Sequence, residues 1–207
     1  MSRKTLKPTD HKLYDYLTRE FSLGRNKKEY GVISSEWNPE ITDRLVNGVF
    51  DFFSEVNYDK NKITYLKVPG SFELVSGCVQ MQKHRNVEAI IAVGSIIKGE
   101  TKHFDFISQS ICNGIAHLNT TGTCPIILCL LTDDNYEQAL DRSGGKYGNK
   151  GYDCAKAAVY MANLKHLYTD NTTQGKMNKE LMKHDKLHGI NSHPFFSSKS
   201  KSKKGGS

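Results

Sequence analysis

The chain has 207 residues, enough for one α/β domain with a substantial core and short for two. Its net charge of +7 is uneven, since residues 1–29 carry eight Lys/Arg against four Asp/Glu, residues 171–207 carry eight against two, and the middle is mildly acidic. The net positive charge therefore does not indicate that the whole domain binds nucleic acid. No apolar run approaches the roughly 20 residues of a membrane-spanning helix.

In chain order, a basic extension (1–29) precedes a predicted domain (30–170) and a basic tail (171–207). Four segments within the domain have the composition of strands: Tyr30–Glu36, Lys62–Val68, Ala89–Ile97 and Pro125–Leu131. The last two are almost continuously apolar, as in strands covered on both faces. The tail is rich in Lys, Asn and Ser and is predicted to be disordered, because it has too little apolar surface to offset its ordering entropy.

Helical patterns follow the strands. Apolar residues recur every three or four positions at Ile41, Leu45, Val49, Phe52 and Val56, at Ile107, Ile111, Ile115 and Leu118, and at Ala155, Ala158, Val159 and Ala162. Asn38 is predicted to cap the first helix with Pro39 at its first position, and Ser71 to cap a helix that starts near Phe72. Alternating strands and helices predict a parallel sheet between two helical layers.

Cysteine usage indicates the compartment. The five cysteines form no CxxC pair, and the N-terminal segment contains no apolar signal region: Cys78, Cys112, Cys124, Cys129 and Cys154. An odd number of cysteines without a secretory signal favours a reducing compartment, so we expect a cytoplasmic protein.

Polar and aromatic residues stand at the ends of the predicted strands, the edge at which ligands bind in such folds. The backbone amides of Glu100 and Thr101 precede a helix and suit an anion, and Arg142 can hold a phosphate through two nitrogens. His103 is of the residue type that exchanges protons near neutral pH. Trp37 offers a flat face for stacking. Each also has a structural explanation when taken alone, but their common position predicts a site.

A carboxylate completes this set, since Glu73 follows the second strand and suits hydroxyl groups. The arrangement predicts a site for a small phosphate ester and a polar, planar heterocycle.

Five segments then resemble lumazine synthases in order and spacing, over roughly residues 29–168. They are VPGSFE (68–73), VGSIIKGETKHFDF (93–106), NGIAHLNTTGTCP (113–125), EQALDRSGGKYGNKG (137–151) and DCAKAAVYMANL (153–164). The resemblance implies a three-layer α/β/α sandwich with a mainly parallel, flavodoxin-like sheet. It also implies condensation of 5-amino-6-(D-ribitylamino)uracil with 3,4-dihydroxy-2-butanone 4-phosphate to 6,7-dimethyl-8-ribityllumazine, the penultimate step of riboflavin biosynthesis, without a metal or redox cofactor.

The resemblance assigns roles by position. The residues matched to binding of the uracil substrate are Trp37, Asn38, Ser71, Phe72, Glu73, Ser95, Ile96 and Ile97. Those matched to the butanone phosphate are Glu100, Thr101 and Arg142. In this assignment Trp37 stacks on the pyrimidine and Glu73 reaches the ribityl hydroxyls. His103 matches the proton-transfer histidine, and Lys150 a lysine that balances charge near the site.

Three residues depart from the family pattern. Leu128 replaces a phenylalanine that many members contribute to the site of a neighbouring subunit, and Asp141 replaces a glutamate before the arginine. Glu100 places a carboxylate beside the expected phosphate, so its side chain must point outward.

The family forms pentamers, and in some members an icosahedral 60-mer built from them. The segment SGGKYGNKG (143–151) has no insertion, which favours the 60-mer. Two other functions remain open: a non-catalytic flavin or lumazine carrier on the same scaffold, which would need neither His103 nor Arg142, and a nucleic-acid binder acting through the basic tails.

Overall fold

A parallel sheet lies between two layers of helices in the described domain. A computed structural model describes residues 29–169, with side chains as far as residue 163. The strands are β1 (Glu29–Ser35), β2 (Ile63–Val68), β3 (Val87–Ile97) and β4 (Ile126–Asp133). All of their pairings are parallel, in the order β2-β1-β3-β4. This is the order of the first four strands in flavodoxin-like sheets, so the predicted fold class is confirmed.

Helices cover both faces of the sheet. They are α1 (Pro39–Glu55), α2 (Leu74–His84), α3 (His103–Thr121), α4 (Tyr136–Arg142) and α5 (Lys150–Thr169). Between α4 and α5 lies a short antiparallel hairpin of β5 (Ser143–Gly145) and β6 (Gly148–Asn149). Within residues 29–169 no helix combines the length and apolar character that crossing a membrane requires.

Two hydrophobic cores hold the layers together. On one face, α1, α4 and α5 pack against the sheet around Tyr30, Phe52 and Phe53, where the ring centroids of Tyr30 and Phe53 lie 5.2 Å apart. On the other face, α2 and α3 pack around a second buried cluster that includes Met81 and Ile111. Burial on both faces accounts for the nearly continuous apolar sequence of β3.

The predicted helix start at Asn38 is confirmed, whereas the cap predicted at Ser71 is wrong. Asn38 does precede α1, with Pro39 in its first turn, but its side chain makes no capping hydrogen bond. Ser71 does not cap α2, which begins three residues later at Leu74. In each case a tertiary hydrogen bond from the side chain replaces the local cap.

The tails remain a matter of prediction. Apart from Glu29, the predicted extension (1–29) lies outside the described residues, and so does the whole tail (171–207). The domain limits at 30 and 170 and the disorder of the tail therefore stay predictions, and nucleic-acid binding through the tails stays an untested alternative that the sequence does not favour.

Candidate active site

The candidate residues lie at the carboxyl edge of the sheet, around the neighbouring strands β1 and β3. The helix after β1 covers one face of the sheet, whereas the helix after β3 covers the other. The chain leaves β1 towards one face of the sheet and leaves β3 towards the other, and this divergence opens a crevice at the carboxyl ends of the two strands. Asn38 bridges this point, since its Nδ2 donates to the carbonyl oxygen of Ser95 at 3.0 Å.

Asn38 has an unusual backbone conformation, with φ 54° and ψ 55°. Asparagine tolerates this left-handed region better than most residues. The turn lets its carbonyl accept from the amides of Ile41 and Thr42, at 2.9 and 3.0 Å, while its side chain reaches β3. The preceding residue, Trp37, is left with 71% of its surface exposed. An exposed indole at the crevice is available for stacking on a ring.

Trp37 and Glu73 meet at Gly70. A Cβ atom on Gly70 would lie 2.7 Å from Oε2 of Glu73 and 3.7 Å from Cδ1 of Trp37. Phe72 is also exposed, whereas Ser71 is buried with its Oγ donating to Oγ of Ser35 at 3.4 Å. The loops after β1 and β2 thus place an aromatic face and a carboxylate side by side.

The end of β3 provides the floor of the crevice. Ser95 is buried, its carbonyl is held by Asn38, and its Oγ has no hydrogen-bond partner among residues 29–169. Ile96 and Ile97 are half-buried, and Ile97 pairs with Asp133 of β4. The backbone of these residues is therefore fixed by its neighbours.

The loop between β3 and α3 is open to solvent. Glu100, Thr101 and His103 are exposed, and the backbone N–H of His103 donates to Oγ1 of Thr101 at 3.4 Å. A Cβ atom on Gly99 would meet nothing within 4 Å. Because α3 begins at His103, the amides of this loop lie at the positive end of the helix dipole.

Arg142 ends α4 and pairs with a residue that sequence reasoning did not select. Its Nε lies 3.1 Å from Oδ1 of Asp133, the last residue of β4, whose side chain is only 5% exposed. Burial raises the pKa of the Asp133 carboxyl, and the nearby Arg142 guanidinium partly offsets this rise. Asp133 is missing from the sequence-based site because nothing in its local pattern distinguishes a buried aspartate from an exposed one.

Lys150 is positioned by the segment Gly148–Gly151. Gly148 adopts φ 79°, and the side chain of Asn149 makes three contacts: Nδ2 donates to the carbonyls of Arg44 (2.8 Å) and Ser143 (3.1 Å), and Oδ1 accepts from the amide of Gly151 (2.8 Å). Asn149 thereby joins α1, the hairpin and the start of α5. Lys150 Nζ lies 3.5 Å from Oδ2 of Asp153.

The structure divides the candidate residues into groups. Among residues 29–169, no hydrogen bond or ion pair joins Arg142 or Lys150 to Thr101 or His103. Leu128 is half-buried in the core beneath α2 and α3, where it pairs with Ala92, three residues before Ser95 on β3. In the described part of the chain, side-chain contacts thus join the residues around Trp37, whereas no hydrogen bond or ion pair joins Arg142 or Lys150 to the loop before α3.

Comparison with known proteins identifies the family. The model of the family described as 6,7-dimethyl-8-ribityllumazine synthase matches residues 27–166. A relative of that name from Christiangramia forsetii is 50% identical over 137 residues, which cover 66% of this chain and 82% of the relative. Relatives of the same name from Flavobacterium johnsoniae and Bacteroides fragilis are 45% and 43% identical, covering 66% and 64% of this chain and 72% and 93% of their own lengths. These matches confirm the resemblance, and the chain belongs to the 6,7-dimethyl-8-ribityllumazine synthase family.

Proposed function

We propose that the protein condenses 5-amino-6-(D-ribitylamino)uracil with 3,4-dihydroxy-2-butanone 4-phosphate to 6,7-dimethyl-8-ribityllumazine, as a transferase of riboflavin biosynthesis. Family membership over residues 27–166 is the observation that carries this function. The exposed indole beside a carboxylate, at the switch point of the sheet, is consistent with a ribityl-substituted pyrimidine as one substrate.

The uracil substrate is assigned to the crevice between β1 and β3. In this proposal the pyrimidine stacks on Trp37 and Phe72 closes the same apolar side. Glu73 accepts from the ribityl hydroxyls. The residues assigned to fixing the ring edge, through backbone groups or short polar side chains, are Asn38, Ser71, Ser95, Ile96 and Ile97. Since Asn38 already holds the Ser95 carbonyl, this part of the site is preorganised.

The butanone phosphate is assigned to the open loop and to Arg142. The amides of Glu100 and Thr101 bind the phosphate, and the exposed side chain of Glu100 is free to point away from it. Arg142 adds two charge-assisted hydrogen bonds. Lys150 balances the charge of the departing phosphate, and His103 transfers protons.

The reaction proceeds in three stages. The amine of the uracil attacks the butanone carbonyl, and loss of one water gives an imine. Loss of a proton and of the phosphate follows, and closure of the second ring releases another water. No stage passes electrons to an external acceptor, so we expect neither a metal nor a redox cofactor. Because both reactants are intrinsically reactive, most of the acceleration comes from holding them together.

We propose that neighbouring subunits complete the site in a pentamer. Among the described residues no hydrogen bond or ion pair joins Arg142 or Lys150 to Thr101 or His103, and Leu128 pairs with Ala92, three residues before Ser95. Each would therefore act on an adjacent copy. The exposed surface supports association: α3 buries only Ile111 and Ile115 among its 19 residues. An amphipathic helix normally buries a wider apolar stripe.

Light scattering tests this assembly. We expect the mass of a 60-mer, with the pentamer as its smaller unit, because the hairpin segment 143–151 has no insertion. A monomeric mass at micromolar concentration would contradict the proposal, since the phosphate site would then lack Arg142.

We place the enzyme in the cytoplasm. All five cysteines of the chain fall within the described residues, and all are free thiols. Free thiols persist in a reducing compartment.

An assay with both substrates tests the function directly. The purified protein should produce the fluorescence of the lumazine only when the uracil and the butanone phosphate are both present. Binding of preformed lumazine without such turnover would instead indicate a carrier.

His103→Ala should lower kcat by roughly tenfold, below the 10²–10⁴-fold typical of general acid–base catalysis, because proximity supplies most of the acceleration. Both KM values should stay within about threefold, since His103 is assigned to proton transfer rather than to binding. His84→Ala is the matched control, because His84 is exposed at the end of α2, away from the surface assigned to association. An abolished rate in His103→Ala, with Arg142→Ala unaffected, would contradict both assignments.

A further inference from the structure

The carboxylate of Asp133 is held rigidly at the carboxyl edge of the sheet. Its backbone is the last residue of β4, pairs with Ile97, and has its carbonyl bound by the amide of Lys98 at 3.0 Å. Its side chain is buried, with Oδ1 facing Nε of Arg142 at 3.1 Å. The long, partly exposed side chain of Arg142 therefore ends against a fixed acceptor.

This contact occupies only one corner of the guanidinium. Arginine has five N–H donors, one on Nε and four on the two Nη atoms. Among residues 29–169 no hydrogen bond or ion pair uses the Nη atoms of Arg142, and its side chain is 43% exposed. The ring of Tyr147 lies 5.8 Å from Cζ. Anchored at Nε, the guanidinium presents its Nη edge, which suits two parallel hydrogen bonds to a phosphate.

Burial of the Asp133 carboxylate also lowers the stability of the folded protein, because one of its oxygens has no hydrogen-bond partner among residues 29–169. Its Oδ2 is buried without a hydrogen-bond partner in the described part of the chain. A buried carboxylate with an unsatisfied oxygen opposes folding, and such groups are often retained where function needs them.

We propose that Asp133 is a positioning residue, which fixes Arg142 through Nε so that the Nη edge receives the phosphate of the butanone substrate. The inference rests on the proposed function, in which Arg142 binds that phosphate. Asp133 does not touch the substrate. It acts by removing rotational freedom from the guanidinium before the substrate arrives, which lowers the entropic cost of binding.

Asp133 could affect Arg142 by neutralising its charge or by orienting its guanidinium, and the two effects would change phosphate binding in opposite directions. If Asp133 acted mainly by neutralising Arg142, its removal would strengthen phosphate binding, because the guanidinium would gain effective positive charge. If Asp133 orients Arg142, its removal weakens phosphate binding. Asp133→Asn separates the two, since the amide keeps an oxygen of similar position opposite Nε while the negative charge is lost.

The test is steady-state kinetics on the Asn, Ala and Leu variants of Asp133, together with calorimetric titration of inorganic phosphate. We expect Asp133→Ala to raise KM for the butanone phosphate about tenfold and to weaken inorganic phosphate binding by the same factor. KM for the uracil substrate should stay within about twofold, and Asp133→Asn should restore most of the loss. Asp133→Leu fills the volume and repeats the test if the Ala variant does not fold.

A double-mutant cycle with Arg142→Ala completes the experiment. In that background Asp133→Ala should have no further effect on phosphate binding, because its partner is gone. Asp51→Ala is the matched control, since Asp51 is an exposed carboxylate in the second half of α1.

Three results would overturn the role of Asp133: tighter phosphate binding in the Ala and Asn variants, equal changes in both KM values, or an undiminished effect in the Arg142→Ala background. The proposed function fails separately, if the wild-type protein makes no lumazine. Calorimetry with inorganic phosphate would then still decide whether Asp133 orients Arg142.

Discussion

Arg142→Ala should raise KM for the butanone phosphate about 10²-fold, because in the proposed site Arg142 makes two charge-assisted hydrogen bonds to the phosphate. KM for the uracil substrate should stay within about threefold, since that substrate is assigned to the crevice around Trp37. Measuring each KM at saturation of the other substrate checks the result. Equal effects on both, or no effect on either, would remove Arg142 from the phosphate site.

Arg142→Lys sharpens the comparison. Lysine keeps a positive charge but cannot form the paired hydrogen bonds of a guanidinium, and its chain has no Nε to meet Asp133. We therefore expect only partial recovery of phosphate binding. Full recovery would mean that charge alone suffices and that orientation by Asp133 is irrelevant.

The Arg142→Ala substitution should also change the stability of the folded protein in a pH-dependent way. Without Arg142, the buried Asp133 loses its counter-ion, so its pKa, already raised by burial, rises further. The folded state then binds a proton more tightly than the unfolded state, and stability increases as pH falls through this range. Arg142→Ala should therefore lose more stability at about pH 7 than near pH 4, the ordinary range of an aspartate.

Gly151→Ala should destabilise the protein by at least about 3 kcal/mol, because there is no space for a side chain at this position. A Cβ atom there would lie 1.8 Å from the carbonyl oxygen of Leu45 in α1. That oxygen belongs to a helix backbone, so relief requires α1 and α5 to separate. Chemical denaturation with urea would measure the loss.

Gly99→Ala is the matched control for this prediction. A Cβ atom at Gly99 would meet nothing within 4 Å, so its stability should change by no more than about 0.5 kcal/mol, or increase slightly through the loss of unfolded-state entropy. Equal losses in the two variants would show that the packing of α1 against α5 is not the cause.

The strands were predictable from sequence because burial on both faces leaves a strong pattern. The apolar run Ala89–Ile97 falls within β3, and Pro125–Leu131 overlaps β4. The helix α4 and the hairpin β5–β6 were not predicted. Seven residues of helix are too few to show a period, and the hairpin strands have only three and two residues.

The helix-capping rules did not predict the hydrogen bonds of the Asn38 and Ser71 side chains, because each side chain bonds to a residue that is distant in the sequence. Asn38 has the residue type of a cap, but its amide bonds to Ser95, which is 57 positions away in the sequence. Ser71 likewise turns to Ser35. In the candidate site, motif comparison selected residues such as Arg142 but not Asp133, because the importance of Asp133 follows from burial and from its contact with Arg142. The residue roles themselves stay predictions.

Trp37 is the only tryptophan in the chain. It lies at the assigned pyrimidine site with most of its ring exposed to water. Its emission comes from that site alone, without background from other indoles, so stacking by a ligand would alter the whole tryptophan signal. If the pyrimidine stacks on Trp37 as proposed, this single indole would report substrate binding by fluorescence, also in variants that no longer turn over.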